Sequence, residues 1–504
     1  MTQPSRPLIS LMAGITSGGL DAAKAVEAIR TAGVFDERFY LNSYLAADPM
    51  LKLVDPISHY LVVGYRMGFR PSFTFDSVAY LAQHPGLAAT GMNPLLHLSL
   101  RLRAEGPSSG LTAAQQVPLP GRTRDRIPDF SGLQRPWGKG VRVALDVVMP
   151  VHSGFHETLL AVHAVLSSKN KTPFQLVVID DKSPDAELIR HLQLLARRGL
   201  ISLLHNSRNL GFAGTVNKAL ALHPQRDVLL LNSDTMVYGN WVDRLAAHAG
   251  EGVATVTPFS NNASLCSYPR IFEANTLQAR MAARTIDRLC ARFNKGQAVD
   301  IPTGIGFCMY VSRAAAQVIG RFDDKTFRTG YGEDNDFCFR ALKLGFRNLH
   351  ALDVFVYHAG GISFGTRPPE EASKPLAALN KKHPSFKASL RRFALDDPAL
   401  AARQLLDLAL LTRGKRRIDF RHIGKRSLVR RKGRDSLLLY LCPEAGGRSF
   451  SLETSDGLSV SPNLRGLDLA RLTLLLKSLF PPGGKRSVTF RGGEVSIKIL
   501  SRSS

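Results

Sequence analysis

Between residues 141 and 231, short runs of leucine and β-branched residues alternate with stretches of amphipathic spacing, and this alternation restricts the chain more than any other feature. The runs 143–149, 174–179, 201–204 and 228–231 have the length of strands, and the segments 155–168, 185–198 and 211–222 between them have helical spacing. Repeated strand–helix–strand order requires crossover connections, which predict a mostly parallel sheet covered by helices and hence an α/β fold. In such sheets ligands bind beyond the carboxyl ends of the strands. The polar residues that follow each run are therefore the candidates for chemistry.

The alternating region is less than half of the 504 residues, and at ordinary domain size the chain predicts about three domains. Near the N-terminus Phe35-Asp36, Tyr40-Leu41, Asp48-Pro49, Asp55-Pro56 and His59 recur as Phe75-Asp76, Tyr80-Leu81, His84-Pro85, Asn93-Pro94 and His97, an internal repeat of about 40 residues. Each copy reads as two short helices, the second opened by an Asp-Pro or Asn-Pro pair that caps it and fills its first position. His59 and His97 are expected to pack or cap rather than bind metal. The organisation predicted is a helical repeat region over 1–110, a linker over 111–139 rich in Pro, Gly, Ser and Arg, and a catalytic-type α/β domain over 140–370. A basic helical segment over 371–435 and a small α/β accessory module over 436–504 complete it.

The net charge is +25, and its location decides its meaning. Residues 141–370 carry only +5, whereas 371–435 carry +12, with eleven Lys or Arg and one acid, Asp419, between Arg413 and Arg434. That run follows the apolar stretch 399–411, a pattern that predicts docking on an anionic membrane surface, although a solvated tail would look the same. Nucleic acid is disfavoured because Phe420 is the sole aromatic in the run. No uncharged apolar run approaches the roughly 18 residues of a membrane span, and the first residues lack the pattern of a secretory signal. A cytoplasmic protein, at most peripheral on the inner face of the membrane, is expected. Cys266, Cys290, Cys308, Cys338 and Cys442 are odd in number and widely spaced, so buried reduced thiols are predicted rather than disulfides or a zinc site.

Carboxylates recur where the strand pattern stops. The second run ends in Asp180-Asp181-Lys182-Ser183, which could equally be a turn and helix cap. The fourth ends in Asn232-Ser233-Asp234. Between them Asn206-Ser-Arg-Asn209-Leu-Gly211 turns into a helix whose free N–H groups could receive phosphate, without a complete dinucleotide or P-loop motif. Further on, Gly330-Tyr-Gly-Glu333-Asp334-Asn-Asp336 opens a helix, where acids also suit the helix dipole. His358 follows an apolar strand and precedes a glycine turn.

In this order the pieces resemble the inverting family 2 glycosyltransferases of the nucleotide-binding GT-A fold. The resemblance spans 141–370 and includes Pro150-Val-His152, the segment 260–268 and the segment 303–310. It implies that Asp180 and Asp181 lie near the nucleotide base with Pro150 and His152, and that Asn209, Gly211, Asn232 and Ser233 belong to the donor pocket. His152 stands where the family often has Tyr or Phe, and Asn232 replaces the first Asp of the Asp-x-Asp metal motif. Asp234 and His358 match ligands of a divalent metal, Mn2+ or Mg2+, and Asp334, paired with Glu333, matches the catalytic base. Gly304 and Asp336 would approach the acceptor, although a strand bend and a helix turn explain them as well. The implied activity is a hexosyltransferase reaction from a nucleotide-diphosphate sugar to a hydroxyl of a glycan or glycolipid acceptor in bacterial surface-polysaccharide synthesis. A nucleotidyltransferase, or a membrane- or nucleic-acid-binding scaffold with a degenerate transferase domain, is the alternative. The first would need a basic triphosphate-binding loop, and the segment 150–155 contains no Lys or Arg.

Overall fold

The structure, a computed structural model, describes residues 127–413 with short interruptions. Before them it describes most of 22–40, 55–61, 92–105 and isolated positions between, and after them 417–422, 436–443, 450–453, 462–464, 467–479, 487–491 and 498–500. Two compact units divide between Arg122 and Thr123.

In the first unit the helices Ala22–Ala32, Glu37–Tyr40, Pro56–His59 and Pro94–Glu105 enclose a small core around Ile29, Tyr40, Tyr60, Leu95 and Leu98. Asp55 caps Ser58 N at 2.8 Å with Pro56 at the first helical position, as the Asp-Pro pair predicts. Tyr40 Oη meets His59 Nδ1 at 2.9 Å, and Tyr80 Oη meets His97 Nδ1 at the same distance, so both histidines are packed against a tyrosine.

The second unit is built on an eight-stranded sheet. Its strands are β1 (Leu145–Val151), β2 (Phe174–Asp180), β3 (Ser202–His205), β4 (Asp227–Leu231), β6 (Val253–Phe259), β7 (Ala298–Asp300), β8 (Cys308–Val311) and β9 (Arg347–Phe355). Two-residue strands β5 (Thr235–Met236) and β10 (Tyr357–His358) pair separately. The order is β3-β2-β1-β4-β8-β6-β9-β7, parallel from β3 to β4, with β8 antiparallel to both neighbours and β6 parallel to β9. The parallel half is covered on both faces, which is why its strands read as unbroken apolar runs. Val147, Met149, Leu229 and Leu231 pack with helices Phe155–Leu166 and Ala186–Arg197. The alternate residues Val148, Val228 and Leu230, together with Ile179, pack with Gly211–Leu222 and Glu333–Lys343 on the other face. Each of the four predicted strands and three predicted helices is present within two residues of its expected bounds.

Three expectations of organisation change. The latter part of the expected linker belongs to the second unit: Phe130 is buried, Trp137 packs edge-on to Phe174 at 6.0 Å, and Phe130 O accepts from Arg198 Nη2 at 2.8 Å. Isolated aromatics anchor a segment whose composition is otherwise that of a spacer. The boundary at 436 cuts a sheet. Strand β11 (Arg417–His422) lies between β12 (Ser436–Pro443) and β14 (Ser487–Arg491), with β13 (Phe450–Glu453) and β15 (Lys498–Leu500) at the edges. The basic segment is therefore three helices, Pro369–Lys382, Phe386–Asp396 and Leu400–Leu411, followed by a central strand. Finally, Leu400–Leu411 does not present an apolar face outward: Ala402 through Ala409 are all buried. Its leucines are consumed by the core, which removes the apolar half of the membrane-docking pattern. Among the described residues no helix is long and apolar enough to cross a membrane. Cys266, Cys290, Cys308 and Cys338 are buried free thiols, and burial pushes each above its ordinary pKa; the Cys442 side chain lies outside the described residues.

Candidate active site

The register of β1 on β2 sets Pro150 opposite Ile179 and Val151 opposite Asp180, and Asp181 N then donates to Val151 O at 2.7 Å. His152 Nδ1 donates to Asp181 O at 3.0 Å, so the ring is tied to the acidic pair through the backbone. Asp180 accepts from Ser183 N (2.7 Å) at Oδ1 and faces His205 Nδ1 (3.0 Å) at Oδ2. Asp181 Oδ1 accepts from Leu210 N (2.7 Å) and Asn206 Nδ2 (2.8 Å). The turn half of the alternative reading holds, since Ser183 N folds back onto Asp180, but the cap half does not: the following helix is capped by Asp185, which accepts from Leu188 N at 2.9 Å. Asp181 instead pins the start of the helix Gly211–Leu222 to the end of β2. Asn209 Oδ1 accepts from Gly211 N at 2.9 Å, and Gly211 takes a φ of +70°, a conformation that favours glycine.

At the end of β4, Asn232 N donates to Phe307 O at 2.7 Å, and Ser233 and Asp234 are buried. The pairing of β5 with β10 sets Thr235 opposite His358 and brings Asp234 to the histidine. Asp234 Oδ2 accepts from Gly360 N at 3.0 Å. Its Oδ1 is buried without a hydrogen bond, 3.4 Å from His358 Nε2. The Asn232 amide reaches the same Nε2 at 3.5 Å. His358 donates from Nδ1 to Asn262 O at 2.7 Å, which leaves the Nε2 lone pair facing Asp234 when the ring is neutral. Burial alone would raise the Asp234 pKa, but His358 and the Gly360 N–H hold it below the ordinary value. Burial would depress the imidazolium, yet Asp234 and Asn262 O keep it above the ordinary 6.5.

Glu333 and Asp334 open the helix Glu333–Lys343 behind Gly332, whose φ of +110° allows the sharp entry. Asp334 Oδ2 accepts from Gly306 N at 3.0 Å, and Oδ1 accepts from Asn335 N at 2.8 Å and from its amide at 2.7 Å. Burial raises the Asp334 pKa and these bonds only partly offset it, so the carboxylate is more basic than usual. Glu333 is buried at the first helical position beside it. Gly306 leads into Phe307, whose ring stacks on His358 at 5.1 Å and 22°. One dipeptide thus touches the basic carboxylate on one side and the Asp234–His358 pair on the other.

Two expected acceptor residues have structural explanations. Asp336 is fully buried; its Oδ2 is held by Arg340 Nε at 2.9 Å within the same helix, and its Oδ1 takes Lys382 Nζ (2.7 Å) and His383 Nε2 (2.8 Å), which ties the end of the helix Pro369–Lys382 to it, so both oxygens are engaged. A Cβ on Gly304 would stand 2.8 Å from both Met309 Sδ and Thr257 Oγ1, so the protein's own core requires glycine there. Conversely, Asn261, Asn262 and Phe307, which hold His358, lie in the segments 260–268 and 303–310, to which the sequence reading gives no role. The tandem Asn pair just after β6 was the available signal.

Residues 146–320, about a third of the chain, match the family model of Glycosyl transferase family 2. No curated protein matches the chain by sequence. Among solved structures, GalNAc-T7 with UDP, GalNAc and Mn2+ is similar at 17% identity and a TM-score of 0.38, over 51% of this chain and 52% of that one. The similarity thus spans about half the length of that protein. Mannosyltransferase PcManGT from Pyrobaculum calidifontis, in complex with GDP-Man and Mn2+, is similar at 17% identity and a TM-score of 0.31, over 55% of this chain and 82% of that one. The segment that resembles this family lies on the mixed, mostly parallel sheet. It contains Asp180, Asp181 and Asp234, and it ends before Asp334 and His358.

Proposed function

We propose that the chain is a metal-dependent, inverting glycosyltransferase that moves a sugar from a nucleotide-diphosphate donor to a hydroxyl acceptor. The observation that carries this reading is the dipeptide Gly306-Phe307, which joins a raised-pKa carboxylate to the buried Asp234 and its partly buried partner His358 at the ends of β4 and β10. Inversion is a single in-line displacement: the acceptor oxygen bonds to the anomeric carbon as the bond to the diphosphate oxygen breaks. Asp334 takes the acceptor proton, a role suited to a carboxylate whose basicity burial has raised. Asp180 and Asp181, held rigid by Ser183, His205, Asn206 and Leu210, orient the nucleoside, and His152 and Pro150 border the same pocket.

The residues present fit a divalent cation. Asp234 offers a buried oxygen lacking a hydrogen bond, and His358 offers Nε2 with its other nitrogen fixed by a backbone carbonyl, the usual arrangement of a ligating histidine. Among the described residues no group of three or more His, Cys, Asp or Glu is assembled to hold a metal, so the remaining ligands would be donor phosphate oxygens and water. A bound Mn2+ or Mg2+ would neutralise the charge that develops on the departing diphosphate. The acceptor in this proposal is a hydroxyl of a bacterial surface glycan or glycolipid. The enzyme works at the inner face of the membrane, attracted by the cationic run 413–434.

The test is a screen of nucleotide sugars for Mn2+-dependent release of nucleoside diphosphate, with thermal stabilisation by UDP, GDP or dTDP read in parallel. Asp234→Ala is expected to lose the Mn2+-dependent stabilisation. Asp334→Asn is expected to keep it while turnover falls by about 10²–10⁴-fold. Full turnover in Asp334→Asn removes the base assignment, and no response to any nucleotide with Mn2+ removes the donor assignment.

A further inference from the structure

We infer that the C-terminal module positions His358, through a buried chain of hydrogen bonds running Asn463–Asp407–Tyr268 into the loop that holds the histidine. The inference rests on the reading of His358 as a metal-binding group. Each link comes from a different element: Asn463 from the turn Pro462–Leu464, Asp407 from the helix Leu400–Leu411, and Tyr268 from the loop after β6. Asn463 Nδ2 donates to Asp407 Oδ2 at 2.8 Å and to Pro269 O at 2.9 Å. Tyr268 Oη donates to Asp407 Oδ1 at 2.5 Å. Asn463 is itself held by Arg403 Nε at Oδ1 and by Gln404 Nε2 at its carbonyl. All three residues of the chain are buried, and a buried carboxylate is tolerated only where such partners are present.

The other end of the chain reaches the site in two steps. Tyr268 N donates to Ser260 O at 2.7 Å and closes the loop at its base. The next residue, Asn261, clasps the His358 backbone with both ends of its amide, accepting from His358 N at 2.9 Å and donating to His358 O at 2.8 Å. Asn262 then accepts the imidazole Nδ1–H. Tyr268 is thus the anchor of the loop that fixes both the position of His358 and its tautomer. The loop's own turn bonds do not explain why its base is tied to residues 407 and 463, nor why a tyrosine hydroxyl should be buried beside a carboxylate. A positioning role explains both, and it assigns the module a part in the reaction cycle without requiring it to touch substrate.

The test uses the full chain. Bound Mn2+ is titrated by electron paramagnetic resonance in the presence of UDP, GDP or dTDP, whichever stabilises the wild type most, and nucleotide binding is measured separately in metal-free buffer. Tyr268→Phe removes only the hydroxyl, and Asp407→Asn keeps the side-chain shape, so a folded sample is available even if Asn463→Ala loses solubility. Each variant is expected to bind Mn2+ about tenfold more weakly, the lower end of what outer hydrogen-bond partners of metal ligands contribute, with nucleotide affinity unchanged. The double variant Tyr268→Phe with Asp407→Asn is expected to be no weaker than the worse single, because both break one chain. A lowered melting temperature with unchanged Mn2+ affinity in the folded variants overturns the inference and leaves the His358 reading standing. Mn2+ binding that survives Asp234→Ala and His358→Ala overturns that reading, and the inference with it.

Discussion

His350 is fully buried and His358 largely so, yet their surroundings push them in opposite directions. His358 has a carboxylate beside it and is held above its ordinary pKa, whereas His350 has no partner for Nε2 and burial lowers it from 6.5 to about 4. His350 Nδ1 bonds Thr257 O at 2.9 Å and its ring lies edge-on to Phe259 at 4.3 Å, so it serves the core as a neutral ring. The sign of the pH effect follows. Between about pH 4 and 6.5 the unfolded chain binds a proton that the folded chain refuses, so this residue makes stability fall as the pH drops through that window. The slope is up to about 1.4 kcal/mol per pH unit. His350→Gln is expected to flatten the dependence, read as the difference between variant and wild-type denaturant unfolding from pH 4.5 to 7; parallel curves would exclude a neutral buried His350. At this scale Asp180, Asp181, Asp234 and His358 stand out because polar groups at strand ends contrast with the apolar runs before them, and Asp334 because it opens a helix behind two glycines. Asn262 does not, because it acts through its backbone carbonyl, which every residue type possesses.

Among the elements, the helix Leu400–Leu411 shows how far local pattern reaches. Its spacing identifies a helix, but eight consecutive positions are buried, including Arg403, Gln404 and Asp407, so no polar face marks which side meets solvent. Arg403, buried and ion-paired to Asp397, would look like a solvated cation in any one-dimensional reading. Leu406 has no exposed surface, and Leu406→Ala is expected to destabilise the second unit by about 2–5 kcal/mol in chemical denaturation. A membrane-facing leucine would instead leave unfolding unchanged and weaken vesicle binding. The parallel strands were easier to read. Burial on both faces makes β1 and β4 continuous apolar runs, whereas the basic sequence of β11 gives no such cue although it is the centre of its sheet.

Across the whole molecule, charge and chemistry lie in different regions: +5 over 141–370 against +12 over 371–435. Much of the cationic run 413–434 lies outside the described residues, and its membrane role stands as a proposal with its own test. Replacing Lys425, Arg426, Arg430, Arg431, Lys432 and Arg434 by Glu, a set that leaves β11 intact, is expected to abolish salt-sensitive sedimentation with phosphatidylglycerol vesicles. Nucleotide stabilisation should be unchanged; vesicle binding that persists in this variant ends the docking proposal. The alternation of strands and helices and the acids that follow the strands can be read along the chain, because periodicity and burial act between near neighbours. That Asp234 meets His358, that Gly306 N–H is bonded to Asp334, and that Asn463 is linked to the loop beneath the histidine come from the fold alone. Those meetings depend on strand order and register, which pair residues far apart in the chain and leave no local trace.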